Sequence, residues 1–314
     1  MRILVAGGAG FIGSNLVARL LKDGHEVIVV DNFITGKESN IKPFFDQPKF
    51  KLLKHDIRTA FDIEGSVDQI FNLASPASPI DFERIPLFIL ETGSIGHRHL
   101  LDIASRKKAR ILLASTSEVY GDPLVHPQVE TYFGNVNPVG VRGCYDESKR
   151  YAEALSMAHR RENGTNICIA RIFNTYGPNM RPEDGRVIPS FFSQALQKKS
   201  LTINGDGTQT RSLCFVTDLV AGLIALMNSS ETGPMNIGNP EELTIVELAN
   251  KINDLLGNTS PHLFLKLPEN DPLKRRPDIS RIKSTLNWSP GVSLSDGLKV
   301  TLDWFKKEFK IEGK

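Results

Sequence analysis

The first thirty-one residues hold the most restrictive pattern in the chain. An apolar run, RILVAG (2–7), leads into a glycine cluster, GGAGFIG (7–13). A helix-periodic segment, IGSNLVARLLKDG (12–24), then leads to a second apolar run, HEVIVVD (25–31). Strand, tight turn, helix and strand within about 30 residues make a βαβ unit, which needs a parallel strand pair and a right-handed crossover. Gly7, Gly10 and Gly13 permit the turn and let backbone amides approach a pyrophosphate at the positive end of the helix. Asp31 ends the second run about 20 residues further on, where a carboxylate meets a ribose 2'-hydroxyl and repels a 2'-phosphate, so NAD is predicted rather than NADP.

The alternation continues through FKLLKHDI (50–57), VDQIFNLA (67–74), ARILLAS (109–115) and NICIARIFN (166–174), with amphipathic segments such as GSIGHRHLLDIASRK (93–107) between several of them. Runs without polar alternation belong to strands covered on both faces, so the fold class is α/β, a Rossmann-like doubly wound parallel sheet. After RIFNTYGPNMRPEDGR (171–186) the texture shifts to Pro, Gly and short mixed segments, which predicts a smaller α/β cap interleaved with the sheet; LCFVTDLVAGLIALM (213–227) is expected to return to the sheet. The expected division is 1–172 with 214–240 for the NAD-binding domain, and 173–213 with 241–314 for the cap.

Composition narrows the partners. Thirty-eight Lys and Arg against 36 Asp and Glu give a net charge of +2, too even for a field that gathers nucleic acid or anionic membrane, so neither is expected as a partner. The basic clusters at 106–108 and 306–307 read as solvated faces, while that at 274–276 acquires another reading below. Cys144, Cys168 and Cys214 form no CxxC pair, His97 and His99 point to different sides of a helix, and no metal is expected. No apolar run reaches the ~18 residues of a membrane span and no leader pattern opens the chain, so the expectation is a cytoplasmic protein.

RGCYDESKRYAEAL (142–155) puts Tyr145 and Lys149 four positions apart, on one face of a helix. Alone, such a pair is usually surface. Downstream of a nucleotide-binding unit it has a mechanism: a phenol of reference pKa about 10 becomes a base near neutrality if cations lower it by three units, about 4 kcal/mol. A lysine one turn along and a cationic nicotinamide are candidates for that work.

The GxxGxxG turn with the downstream Tyr-xxx-Lys resembles the extended short-chain dehydrogenase/reductase superfamily. The blocks NLASPASP (72–79), LLASTSEVYGDPLVHPQVE (112–130), GNVNPVGVRGCYDESKR (134–150), ARIFNTYGPNM (170–180), TQTRSLCFVTDLV (208–220) and RRPDIS (275–280) resemble the UDP-glucuronate decarboxylase (UDP-xylose synthase) family, and the likeness spans the chain. The resemblance implies that Tyr145 takes a proton from the sugar 4-hydroxyl, held by Thr116, as C4 is oxidised by NAD. Carbon dioxide then leaves the 4-keto sugar and the hydride returns, giving UDP-xylose. It implies cofactor contacts at Gly7, Gly10, Phe11, Ile12, Gly13, Asp31, Asn32, Phe33, Thr35, Gly36, Asp56, Ile57, Leu73, Ala74, Ser75 and Thr92, together with Tyr145 and Lys149, and substrate contacts at Ser117, Asn174, Arg186, Val187, Ile203, Arg211 and Arg275. The cap then becomes the nucleotide-sugar-binding domain, and a homodimer is expected.

Sister 4,6-dehydratases resemble this chain but carry Asp-Glu after the Thr, because expelling a hydroxyl needs an acid. Here the pair is Ser117-Glu118, and serine is too weak an acid for that step. The resemblance keeps Glu118 near C5 and C6, and brings Arg275 in from the cap to bind the carboxylate or to organise the water that protonates C5. The chain departs from the family pattern at Asn72, where His is usual, at Asn204, where an aromatic is frequent, and at Glu91, where Lys is usual. A carboxylate at 91 facing an acidic sugar would repel it. The other readings are a UDP-sugar or UDP-uronate 4-epimerase and a non-catalytic NAD-binding protein.

Overall fold

In the computed structural model of the chain, which describes residues 1–267 and 274–309, apolar runs form one sheet. Its strands are β1 (Arg2–Ala6), β2 (Glu26–Asp31), β3 (Phe50–Lys54), β4 (Gln69–Asn72), β5 (Arg110–Thr116), β6 (Ile167–Ile172) and β7 (Pro234–Ile237). All neighbours run parallel, in the order β7-β6-β5-β4-β1-β2-β3. The main helices are α1 (Phe11–Lys22), α2 (His97–Lys107), α3 (Gly143–Asn163), α4 (Val187–Leu196), α5 (Val216–Met227), α6 (Ile245–Leu256) and α7 (Leu294–Glu308).

Side-chain alternation divides the core into two layers. Ile3 and Val5 join Val27, Val29, Phe71 and Leu112 on one face, beneath Leu16, Val17 and Leu20 of α1 and the apolar side of α5. Leu4 and Ala6 join Ile28, Val30, Ile70 and Ile111 on the other, beneath Leu100, Leu101 and Ile103 of α2 and Ala152 of α3. Both faces are covered, which accounts for the unbroken apolar runs. Each fully buried Leu or Ile side chain contributes roughly 1.5–3 kcal/mol. The rule fails at β3: as the edge strand it leaves Lys51 and Lys54 exposed.

The expected return to the sheet at 213–227 takes a different form. Cys214–Phe215 pairs with Thr175–Tyr176, residues 216–227 form α5, and β7 is the strand that rejoins the sheet beside β6. Beyond the sheet, Thr202–Asn204 pairs with Leu263–Leu265, while Thr210–Ser212 lies between Glu242–Thr244 and Lys274–Arg275. Phe191, Phe192, Leu248, Ile252 and Phe305 from α4, α6 and α7 belong to the same apolar cluster as β1, so the small sheets and the large one share a core.

The strand order reverses between β1 and β4, so a crevice opens beyond the carboxyl ends of the strands there. Beside it a helix at Pro86–Glu91 passes through a π-helical turn, Thr92–Gly96, into α2. Wider turns of this kind often occur at functional sites. At Gly93 a Cβ would lie 2.7 Å from Cβ of Ser148, so glycine lets this turn close onto the face of α3 that carries Tyr145 and Lys149.

Candidate active site

A cavity of about 610 Å³ lies over the crevice. Its floor begins at the glycine turn. Gly7 has φ +79°, and a Cβ there would lie 2.8 Å from the Ala74 backbone; at Gly13 a Cβ would lie 2.1 Å from the Gly7 carbonyl oxygen. No side chain caps the first turn of α1 and no acid sits in it, which leaves its amides and dipole directed at the cavity for an anion. Asp31 is buried behind the turn, its oxygens accepting from Ala9 N at 2.9 Å and Phe33 N at 2.8 Å. Burial raises the pKa of its carboxyl group, and the two backbone donors oppose that rise. A cradle that a Cβ would fill, an open helix end and a carboxylate at the tip of β2 fit NAD. Gly10, Phe11, Ile12, Thr35, Leu73 and Ser75 line this end, Gly36 packs against Asp31, and Asn32 donates to Asp56 at 3.1 Å.

Thr116, Tyr145 and Lys149, the residues expected to be catalytic, come together at the far end. Thr116 ends β5, and Tyr145 and Lys149 project from α3 into the same wall. Tyr145 stacks on Phe82, ring centroids 5.1 Å apart and 17° from parallel, in the short helix Pro79–Arg84. Burial pushes its phenol up to about 12, while a hydrogen bond with Thr116 and the charge of Arg186 pull the other way. Lys149 Nζ lies 5.7 Å from the Tyr145 ring centroid and donates to the Ala114 carbonyl at 2.8 Å; burial lowers its pKa to about 8. Sequence predicted a phenol brought down by cations. In the protein alone burial wins, so these residues do not by themselves make Tyr145 a base at neutral pH.

Glu118, on the turn after β5, is clamped between two guanidiniums: Oε1 to Arg275 Nη1 and Oε2 to Arg142 Nη2. Burial alone would raise its pKa, but the two cations outweigh burial and hold it at about 2. Arg275 also donates to Ser117 Oγ at 3.2 Å and to the Gly121 carbonyl at 2.9 Å. Sequence reasoning missed Arg142; its one signal is a place three residues before Tyr145. It also passed over Asp146, which is buried with no partner for Oδ1 and is raised to about 7 by burial and by Glu118. Arg186, whose charge reaches Tyr145, is paired with Asp184, and Arg181 reaches Asp81 at 2.7 Å, joining the loop before α4 to the Pro79–Arg84 helix. Asn174, Val187, Asn204 and Arg211 line the wall beyond, where Arg211 donates to the Thr210 carbonyl at 2.8 Å.

Some predicted residues stand apart from the wall. Ile203 is fully buried in the core, and its strand neighbours Thr202 and Asn204 face the cavity instead. Thr92 is buried and donates to the Phe88 carbonyl at 2.7 Å; Ile57 packs against Gly96. Glu91 also stands apart from the wall. Its carboxylate is bonded at 2.6 Å to Arg58, its side chain is 46% exposed, and it does not line the cavity. Arg58 in turn pairs with Asp56 and lies 3.8 Å from the Phe88 ring centroid. Asn72 donates to His97 Nδ1 at 2.9 Å, and His97 Nε2 meets Ser156 Oγ at 2.7 Å, a buried chain linking β4 to α3. Burial lowers the His97 pKa to about 3, with Lys149 adding to it, so the ring is neutral.

The model of the NAD-dependent epimerase/dehydratase family matches residues 3–238. UDP-glucuronic acid decarboxylase 6 of Arabidopsis thaliana is 51% identical over 318 residues, covering 100% of this chain and 91% of the relative. Among solved structures, the UDP-glucuronic acid 4-epimerase of Bacillus cereus in complex with UDP-glucuronic acid and NAD superposes with a TM-score of 0.88 at 29% identity, over 98% of this chain and 100% of that one. DesIV, a dTDP-glucose 4,6-dehydratase of Streptomyces venezuelae with NAD bound, gives a TM-score of 0.90 at 30% identity, over 99% and 98%.

Proposed function

The chain belongs to the NAD-dependent epimerase/dehydratase family and, within it, to the UDP-glucuronic acid decarboxylases, and on that premise we propose that it converts UDP-glucuronate to UDP-xylose by transient oxidation at C4. The observation that carries this reading is identity at half of all positions, end to end, with curated decarboxylases.

Bound NAD supplies a reversible hydride acceptor for C4 and a positive charge beside the phenol. Thr116 holds the 4-hydroxyl and Tyr145 takes its proton, with Lys149 as the neighbouring cation. A ketone at C4 lies β to the C6 carboxylate, so carbon dioxide leaves with its electrons held as an enolate. No hydroxyl has to be expelled, which suits a chain with Ser117, rather than an acid, at the position after Thr116. Glu118, held ionised by Arg275 and Arg142, is a poor proton donor; its part is to orient the water that protonates C5. Asn174, Arg186, Val187 and Arg211 take the nucleotide end, where an Arg fork suits a diphosphate. The division into 1–172 with 214–240 for NAD and 173–213 with 241–314 for the nucleotide sugar is part of the same proposal.

The expected assembly is a homodimer. Leu87, Ile95 and Tyr151 leave 72%, 48% and 52% of their surfaces exposed on two helices that pack together, Pro86–Lys107 and α3, and a second copy would cover that stripe. Sedimentation at micromolar concentration tests it. Among the described residues no helix is long and apolar enough to cross a membrane, and the free thiols Cys144, Cys168 and Cys214 suit a reducing cytoplasm. The activity is tested by incubating purified protein with UDP-glucuronate: carbon dioxide and UDP-xylose are expected with no net reduced nicotinamide.

A further inference from the structure

We propose that Asp81 and Arg181 are positioning residues for the base: their ion pair fastens the segment 181–186 to the helix Pro79–Arg84, and so sets Phe82 and Arg186 together on Tyr145. The inference rests on the reading of Tyr145 as the base at C4, and adds to it a joint on which the ionisation of that base depends.

Three observations make the joint. The Asp81 carboxylate, 1% exposed, accepts from Arg181 Nη2 at 2.7 Å through one oxygen and from Arg84 Nη2 at 2.8 Å through the other. Arg84 lies on the same helix and is 53% exposed, whereas Arg181 comes from 100 residues further along the chain and is 17% exposed. A buried carboxylate that loses a partner is strongly disfavoured, so Asp81 selects the arrangement that brings Arg181 in. Second, Ser78 Oγ donates to the Asp184 carbonyl, and both residues are buried. Third, Gly185 has φ +81°, and a Cβ there would lie 2.7 Å from Ile80 Cδ1, so glycine lets the segment lie against the helix. Ser78, Ile80 and Asp81 thus meet positions 184, 185 and 181.

What the joint carries acts on Tyr145 in two ways. Phe82, next to Asp81, stacks on the phenol ring with centroids 5.1 Å apart. Arg186, two residues past Asp184 and bonded to its carboxylate through Nε and Nη2, brings a guanidinium to the same cavity wall, where its charge favours the phenolate. The Phe82 ring helps to keep water from the phenol, which by itself disfavours ionisation, and the cation supplies the opposite effect. Among the described residues, the other charges around the phenol are Glu118 from the turn after β5, itself clamped by Arg142 and Arg275, and Asp146 and Lys149 from α3. The two carboxyl groups oppose ionisation. Lys149 is carried by the same helix as Tyr145, whereas Arg186 is carried by the cap segment and reaches the phenol when that segment is seated on the Pro79–Arg84 helix. Seating the segment therefore charges the base.

The test reads Tyr145 directly, as the midpoint of its tyrosinate ultraviolet difference spectrum in NAD-loaded protein without sugar, taken against Tyr145→Phe. Arg181→Gln is expected to raise that midpoint by about one pH unit, a roughly ten-fold loss of ionised base at neutral pH, and to lower kcat about ten-fold with less than about three-fold change in KM. Arg181→Lys, which keeps the ion pair, is expected to recover most of the shift. Arg84→Gln, which removes the exposed partner of the same carboxylate, is expected to leave the midpoint within about 0.3 unit. Arg186→Gln should raise the midpoint at least as far as Arg181→Gln, and the double variant should go no further than Arg186→Gln alone, because Arg181 acts through Arg186. Should Arg181→Gln not fold, Asp81→Asn, which keeps the shape of the side chain, carries the same expectation. A lowered melting temperature with the midpoint unmoved, shifts that add in the double variant, or an equal shift in Arg84→Gln overturns the assignment. Failure of the decarboxylase reading would appear separately, as no carbon dioxide from the unsubstituted protein.

Discussion

Lys149 Nζ donates a 2.8 Å hydrogen bond to the carbonyl oxygen of Ala114, joining α3 to β5 beneath the cavity. The bond holds a buried ammonium beside Tyr145, and burial brings its pKa down to about 8. The charged form dominates below that value and is lost above it. Turnover that needs the ammonium should be full at neutral pH, and kcat/KM should fall as pH rises through about 8. Lys149→Arg, whose cation does not titrate there, should remove that alkaline limb even if the maximal rate drops. A limb unchanged in the Arg variant would assign it to another group.

Tyr145→Phe keeps the ring that stacks on Phe82 and removes only the hydroxyl. Its melting temperature should stay close to the parent's, while kcat falls by about 10²–10⁴, the usual contribution of a positioned general base. A variant that keeps a tenth of the parent rate would move the base elsewhere.

Gly7→Ala combines a left-handed backbone (φ +79°) with a Cβ 2.8 Å from the Ala74 backbone, whereas Gly24→Ala has a similar φ of +85° with its nearest atom 3.9 Å away. Both should lose roughly 1–2 kcal/mol of stability from the backbone alone. NAD affinity, measured by calorimetry, should collapse by at least about ten-fold in Gly7→Ala and stay level in Gly24→Ala. Equal NAD affinity in the two would mean that the turn does not cradle the pyrophosphate.

Glu91→Ala removes a partly exposed carboxylate from Arg58, and such pairs are worth about 0–1 kcal/mol. KM for UDP-glucuronate should change by less than about two-fold. A large fall in KM would show that the carboxylate does repel the substrate.

What the chain reveals before folding follows from how local each feature is. The βαβ unit and the Tyr145–Lys149 pair were legible because each is contained within one or two elements. A tight turn demands glycine, and a spacing of four defines one helix face. Glu91 could not be placed from the sequence because its partner, Arg58, comes from the segment after β3, a meeting that only the folded sheet arranges. Arg142 escaped notice for the same reason: nothing in RGCY distinguishes it from a surface arginine until β5 brings Glu118 beside it. Asp146 looked like an ordinary acid in the first turn of a helix, and only burial makes it exceptional. Ile203 sits on a strand of three residues, too short for alternation to say which side faces the cavity.

The central claim, oxidation and re-reduction at C4 around a decarboxylation, is tested most directly by turnover of UDP-glucuronate in deuterium oxide, with the product read by mass spectrometry and NMR. The predicted product is UDP-xylose, lighter by one carbon dioxide, carrying solvent deuterium at C5 and none at C4, because the C4 hydride returns from the cofactor that received it. A product that keeps its carboxylate and differs only in configuration at C4, or recovery of unchanged UDP-glucuronate, would contradict the account.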